Sequence, residues 1–159
     1  MQIHVIAVGK VKEPYLREGI EEYTKRLRVY TTLHFLEVPD VRVSPDVSES
    51  QKKSVRAKEG QLLLRAAPPG SHLIALHPAG EEWSSAVLTE RVRTWEVEGP
   101  HTVAFLIGGE LGHTEEVLDT SSEILSLSRM TFPHQLVRLI LLEALYRSFR
   151  QLRGEPYSR

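Results

Sequence analysis

The chain reads as an α/β protein with a mostly parallel sheet and helices on both faces. Apolar strand-length runs alternate with amphipathic helix-length stretches, and helix-length segments separate successive strands. No repeat, low-complexity run or linker divides the 159 residues, and an apolar fraction of 41% is enough for one domain with a sizeable core.

The first strand is expected at Gln2–Val8, an apolar run that reaches Gly9 too soon for a signal peptide or a membrane span. A helix follows from about Glu13 to Tyr30, with Leu16, Ile20, Tyr23, Leu27 and Tyr30 at helical spacing. A strand at Leu33–Val38 ends at Pro39, and Asp40–Ser48 reads as a loop. A charged helix from about Glu49 to Ala66 is stopped by Pro68-Pro69-Gly70. Then come a strand at His72–His77, a helix from about Ser84 to Val97 and a strand at Thr102–Ile107. A short helix near Thr114–Thr120 and a strand near Ile124–Ser128 lead to the terminal helix.

That last helix starts near His134, with Pro133 suited to a first helical position and Thr131 to capping. Leu136, Val137, Leu139, Ile140, Leu142, Leu145 and Phe149 spread around its whole circumference at about 100° per residue. A helix apolar all round is buried on every side, which predicts a homodimer interface; a central helix within one monomer is the alternative.

Composition narrows the chemistry. There are no cysteines, so disulfides, thiolate metal sites and cysteine nucleophiles are excluded, and a reducing, cytoplasmic location is the expectation. The seven histidines form no H-x-x-x-H pair or tight carboxylate cluster, so neither a metal site nor a hydrolytic triad is expected. His113, which follows Gly112 in a loop, reads first as a solvated residue at a helix start, with a place near a bound cofactor as the alternative. Net charge is −1, yet residues 124–159 carry six arginines (Arg129, Arg138, Arg147, Arg150, Arg153, Arg159) against two acidic residues. Arginine grips phosphate bidentately or stacks on bases, so this basic end hints at an anionic partner; a solvated end is the plainer reading.

Ligands of such sheets sit beyond the carboxyl ends of the strands. After Thr102–Ile107 comes Gly108-Gly109-Glu110-Leu111-Gly112, a G-G-x-x-G spacing that is neither a dinucleotide fingerprint nor a P-loop. Its glycines allow close backbone approach to a ligand or simply make a tight turn.

The combination, in chain order, of Ala75-Leu76-His77, Ile107 to Gly112, Leu127-Ser128-Arg129-Met130-Thr131-Phe132-Pro133-His134, Tyr146-Arg147 and Gly154-Glu155-Pro156-Tyr157 resembles the RlmH family. Val8-Gly9-Lys10 and Glu37-Val38-Pro39 extend the resemblance over essentially the whole chain. It implies a bacterial methyltransferase of the SPOUT superfamily with an α/β trefoil knot, working as a homodimer. Its methyl donor would be S-adenosylmethionine, with no metal. Its target would be N3 of a pseudouridine in the helix 69 loop of 23S ribosomal RNA, in the assembled ribosome.

The resemblance assigns cofactor binding to Leu76, Gly108, Gly109, Leu127, Ser128, Arg129, Met130, Thr131 and Phe132. It points to Arg147 for stabilising the base anion, His134 for positioning the base or taking its proton, and Tyr157 for stacking or hydrogen bonding. Core packing of the apolar members and a plain Glu143–Arg147 ion pair are the structural alternatives. An imide proton with a pKa roughly two units above neutral costs about 2.7 kcal/mol to remove at pH 7. One hydrogen bond from arginine, worth roughly 1.5–3 kcal/mol, covers most of that. His134 and Arg147 lie roughly 140° apart around one ideal helix, which favours a site shared between two chains.

The tail departs from the family pattern: where members commonly end Pro-Tyr-His-Lys, this chain ends Pro156-Tyr157-Ser158-Arg159. A proton-transfer role for that histidine has no counterpart here. Two other readings stay open, a knotted methyltransferase acting on another RNA such as transfer RNA, and a noncatalytic ribosome-binding dimer.

Overall fold

The computed structural model describes residues 1–156. In chain order the elements are β1 (Gln2–Val8), α1 (Pro14–Leu27), β2 (Thr32–Val38), α2 (Glu49–Ala66), β3 (His72–Glu82), α3 (Ser85–Val97), β4 (Thr102–Ile107), α4 (Glu115–Thr120), β5 (Glu123–Ser126) and α5 (His134–Leu152). The five strands pair parallel throughout, in the order β2-β1-β4-β3-β5.

Alternation along the central strands builds two cores. Ile3, Val5 and Ala7 of β1 and Val103, Phe105 and Ile107 of β4 face Leu16 and Leu27 of α1, Leu88 and Trp95 of α3, and Leu141, Leu145 and Phe149 of α5. Ile6, Val8, Ala104 and Leu106 face the other way, onto Leu63 of α2 and Val117 of α4. Helices therefore cover both faces, which is why these strands read as continuous apolar runs.

Helix starts are set locally. Ser48 and Gln51 form a reciprocal capping box at α2, and the side chains of Ser84 and Thr114 accept from Val87 N and Val117 N at α3 and α4. At α5 the reading of the cap changes: Pro133 is itself the cap residue, extended at φ −56° and ψ 138°, with no side-chain cap bond. Its carbonyl takes Leu136 N and Val137 N instead, and Thr131 is exposed.

Strand lengths differ from the sequence reading at one edge. β3 runs on past His77 to Glu82 through an irregularity between Leu76 and Glu81, and rejoins β5 there. Gly80 permits this because a Cβ would meet the Ile124 carbonyl at 2.7 Å. β5 ends at Ser126, two residues early, as Ser126 Oγ donates to Ser128 O and bends the chain out of the sheet. α1 stops at Leu27; Tyr30 lies beyond it, stacked on Phe149.

α5 lies between α1 and α3. Leu141, Leu142, Leu145 and Phe149 are fully buried, whereas Leu136, Val137, Leu139 and Ile140 are half-buried. Among the described residues, no helix is long and apolar enough to cross a membrane.

Candidate active site

From edge strand β5, residues 127–133 cross the carboxyl ends of β3 and β4 and deliver the start of α5 to the end of β1. Arg138 fixes that delivery. Its guanidinium is fully buried and donates to Gly9 O at 2.6 Å, Val8 O at 2.7 Å and Glu37 Oε2 at 2.8 Å. Glu37 Oε2 also accepts from Val11 N at 2.8 Å. One turn earlier, Gln135 Oε1 accepts from Lys12 N at 3.1 Å.

Under this strap lies a cavity of about 500 Å³. Three strand ends wall it: Leu76, His77 and Pro78 after the regular part of β3, Ile107 through His113 after β4, and Leu125 through Ser128 from β5. Met130 through His134, with Val137 of α5, complete it. Gly112 holds φ +79°, which turns the glycine loop back towards the sheet. Ser128 shapes the strap, its Oγ accepting from Met130 N at 2.9 Å.

Of the residues assigned to cofactor binding from sequence, Leu76, Gly108, Gly109, Leu127, Ser128, Met130, Thr131 and Phe132 all line this one cavity. Arg129 does not; it is exposed on the outside of the strap. His134 is on the wall, half-buried, and its pKa is lowered by burial first and by the Arg138 charge second. It is therefore a neutral imidazole at pH 7, with Nδ1 buried and without a hydrogen-bond partner among the described residues.

Arg147 is not brought to the cavity. It is exposed, thirteen residues or about 20 Å along α5 from His134, and donates from Nε and Nη2 to Glu143 Oε1 at 3.2 and 2.8 Å. Tyr157 lies outside the described residues.

Two residues were misplaced by sequence reasoning. His113 is not a solvated helix-start residue; it is part of the cavity wall, and its Nε2 lies 3.1 Å from Leu106 O. A carbonyl only accepts, so Nε2 carries the hydrogen and Nδ1 presents a lone pair. Burial lowers the pKa of this ring, and Nδ1 is buried and unpartnered among the described residues. Arg138, counted from sequence among the cations for an anionic partner, is spent inside the fold. Arg150 and Arg153 likewise pair with Glu155 and Glu96. The one available signal for Arg138 was its position within Leu136-Val137-Arg138-Leu139-Ile140, a lone charge in an apolar run.

A parallel sheet carrying an apolar cavity under the loops of three adjacent strand ends is an α/β architecture, with the cavity where such sheets place their ligands. A family model described as "Predicted SPOUT methyltransferase" matches residues 1–158, and the chain belongs to that family. It is similar to the protein of Heliobacterium modesticaldum named ribosomal RNA large subunit methyltransferase H, with 48% identity over 100% of this chain and 99% of that one. Proteins of the same name from Halothermothrix orenii and Bacillus pumilus each share 45% identity over 99% of both chains. Among solved structures, a probable methylase family protein from Haemophilus influenzae aligns with TM-score 0.53 at 12% identity, over 99% of this chain and 70% of that one. That likeness is one of fold.

Proposed function

We propose that this chain is an S-adenosylmethionine-dependent methyltransferase that methylates N3 of a pseudouridine in the helix 69 loop of 23S ribosomal RNA, on the assembled ribosome. The observation that carries the reading is the strap-covered cavity: eight of the nine residues matched to the family's cofactor pattern meet there, contributed by three separate loops. The names of the full-length relatives supply the RNA.

The cavity fits the cofactor. Its volume falls in the range of small-molecule sites, its side chains are mainly apolar, and His113 Nδ1 adds a buried acceptor without a donor. Leu76, Leu127, Met130 and Phe132 would hold the adenine, and the backbone of Gly108, Gly109 and Ser128 would bond its edge and the ribose. When bound, S-adenosylmethionine supplies an electrophilic methyl group.

The rest falls to the protein. His134, neutral through burial, is able to take the imide proton or hold the base. Arg147 stabilises the base anion in the site of a second copy, since within one chain it stands about three and a half turns from His134. Tyr157, outside the described residues, keeps the stacking or hydrogen-bonding role that the resemblance assigns to it. The homodimer follows from this division of labour and from the half-buried apolar side chains of α5. The trefoil knot belongs to the same reading through the family resemblance, and the strap that carries the chain across the strand ends before α5 anchors at β1 supports it. Residues 1–159 act as one cytoplasmic domain.

Transfer of labelled methyl from S-adenosylmethionine to ribosomes lacking this modification tests the reading. Incorporation at one pseudouridine N3 is expected, with none into transfer RNA. Label in transfer RNA alone would replace the substrate, and the absence of donor binding by calorimetry would remove the enzyme.

A further inference from the structure

A second cavity, about 440 Å³, opens at the ends of β1 and β2, on the other side of the glycine loop. Gly109, Glu110, Leu111 and His134 line both cavities, so the loop and the start of α5 form a common wall. The two cavities differ in chemistry. Lys10, Lys12 and Arg42 line this one, all exposed and in no ion pair among the described residues, together with the carboxylates of Asp40, Glu59 and Glu110.

Glu59 of α2 lies within its lining, and only 5% of the residue is exposed. Its Oε2 accepts from Val41 N at 3.1 Å. Its Oε1 is buried, has no hydrogen-bond partner among the described residues, and would lie 3.5 Å from a Cβ on Gly109. No cation is paired with this carboxyl among the described residues, and burial raises its pKa. A buried acceptor left without a donor costs free energy that an occupant of the cavity can return.

Cations around a pocket and an orphaned carboxyl oxygen in its wall match the two ends of one nucleotide. The phosphate meets Lys10, Lys12 and Arg42, and a base N–H meets Glu59 Oε1. The wall of Gly109, Glu110 and Leu111 stands between this pocket and the donor, so the base held here is not the one methylated. We propose that this cavity binds an unpaired ribonucleotide flanking the target in the RNA substrate, fixing the register in which the target reaches the donor cavity. Loop RNA, whose bases can splay out singly, is the form that such a pocket takes. The inference rests on the reading of the chain as an RNA methyltransferase.

The test compares the full-length protein with K10A/K12A/R42A, E59L and E59Q, and with K52A/K53A on α2, outside both cavities, as a control for general charge. Ribosomes lacking the modification are the substrate, and thermal midpoints check folding. The triple variant is expected to raise KM for ribosomes about tenfold or more and to flatten the salt dependence of binding by up to about three phosphate contacts. Its S-adenosylmethionine affinity by calorimetry should stay within twofold. E59L should raise KM with donor affinity kept, and E59Q, whose amide oxygen still accepts, should recover part of it.

A second readout needs no turnover: a 4-thiouridine oligoribonucleotide, photocrosslinked and mapped by mass spectrometry, should mark residues around Lys10, Lys12 or Arg42. Wild-type transfer with KM and salt slope unchanged in the triple variant would overturn the pocket and leave the methyltransferase reading intact. Loss of donor affinity in E59L and the triple variant would also overturn it, by making the pocket part of the donor site. No transfer by wild type, with crosslinking retained, would instead sink the methyltransferase reading and with it the pocket's role in register, leaving RNA binding alone.

Discussion

Among single residues, Arg138 has the widest reach. It satisfies two strand-end carbonyls and Glu37 from a position with no solvent contact. Removing one partner of a buried ion pair strands the other. Arg138→Met is expected to cost about 3–5 kcal/mol of stability in denaturant melts. His113 carries a second prediction. Burial lowers its pKa below the usual 6.5, so the unfolded chain binds protons there that the folded chain refuses. Stability contributed at this site is complete above that value and falls as pH drops below it, until the folded ring also protonates. His113→Gln, whose amide can still donate to Leu106 O, should flatten the acid limb of stability measured against pH. A limb unchanged by the substitution would place the proton uptake on His134 or His4, whose pKa values are lowered as well.

At the level of elements, the glycine loop and the strap divide the work of the site. Gly112 sits at φ +79° with open space around its Cα, so an added methyl meets no neighbour and pays only conformational strain. Gly112→Ala should therefore destabilise the protein by about 1–2 kcal/mol and weaken S-adenosylmethionine binding, read by calorimetry. The central strands were legible because both their faces are apolar, and α2 because Pro68-Pro69-Gly70 stops it. The extension of β3 to Glu82 was not, because it depends on Gly80 fitting against the Ile124 carbonyl across the sheet. Likewise, residues of the cavity were nameable through the family's pattern, whereas the burial of His113 and Glu59 is something no local spacing reports.

For the whole molecule, the face of α5 is the open account. Ile140 is half-buried and belongs to neither apolar core, although its neighbours Leu139 and Leu141 do. On the proposed homodimer this face is the interface, so sedimentation velocity should find wild type paired and Ile140→Lys monomeric with little loss of monomer stability, and methyl transfer should fall with it. The hydrogen bonds from Arg138 of α5 to the end of β1 have a further consequence, this time for synthesis. Arg138 stands 129 residues from Gly9 and 130 from Val8, so the carbonyls of the first strand wait for a clamp made near the end of translation. A nascent chain halted before that arginine keeps its leading strand unfastened, and premature termination there yields fragments for proteolysis rather than a smaller working protein.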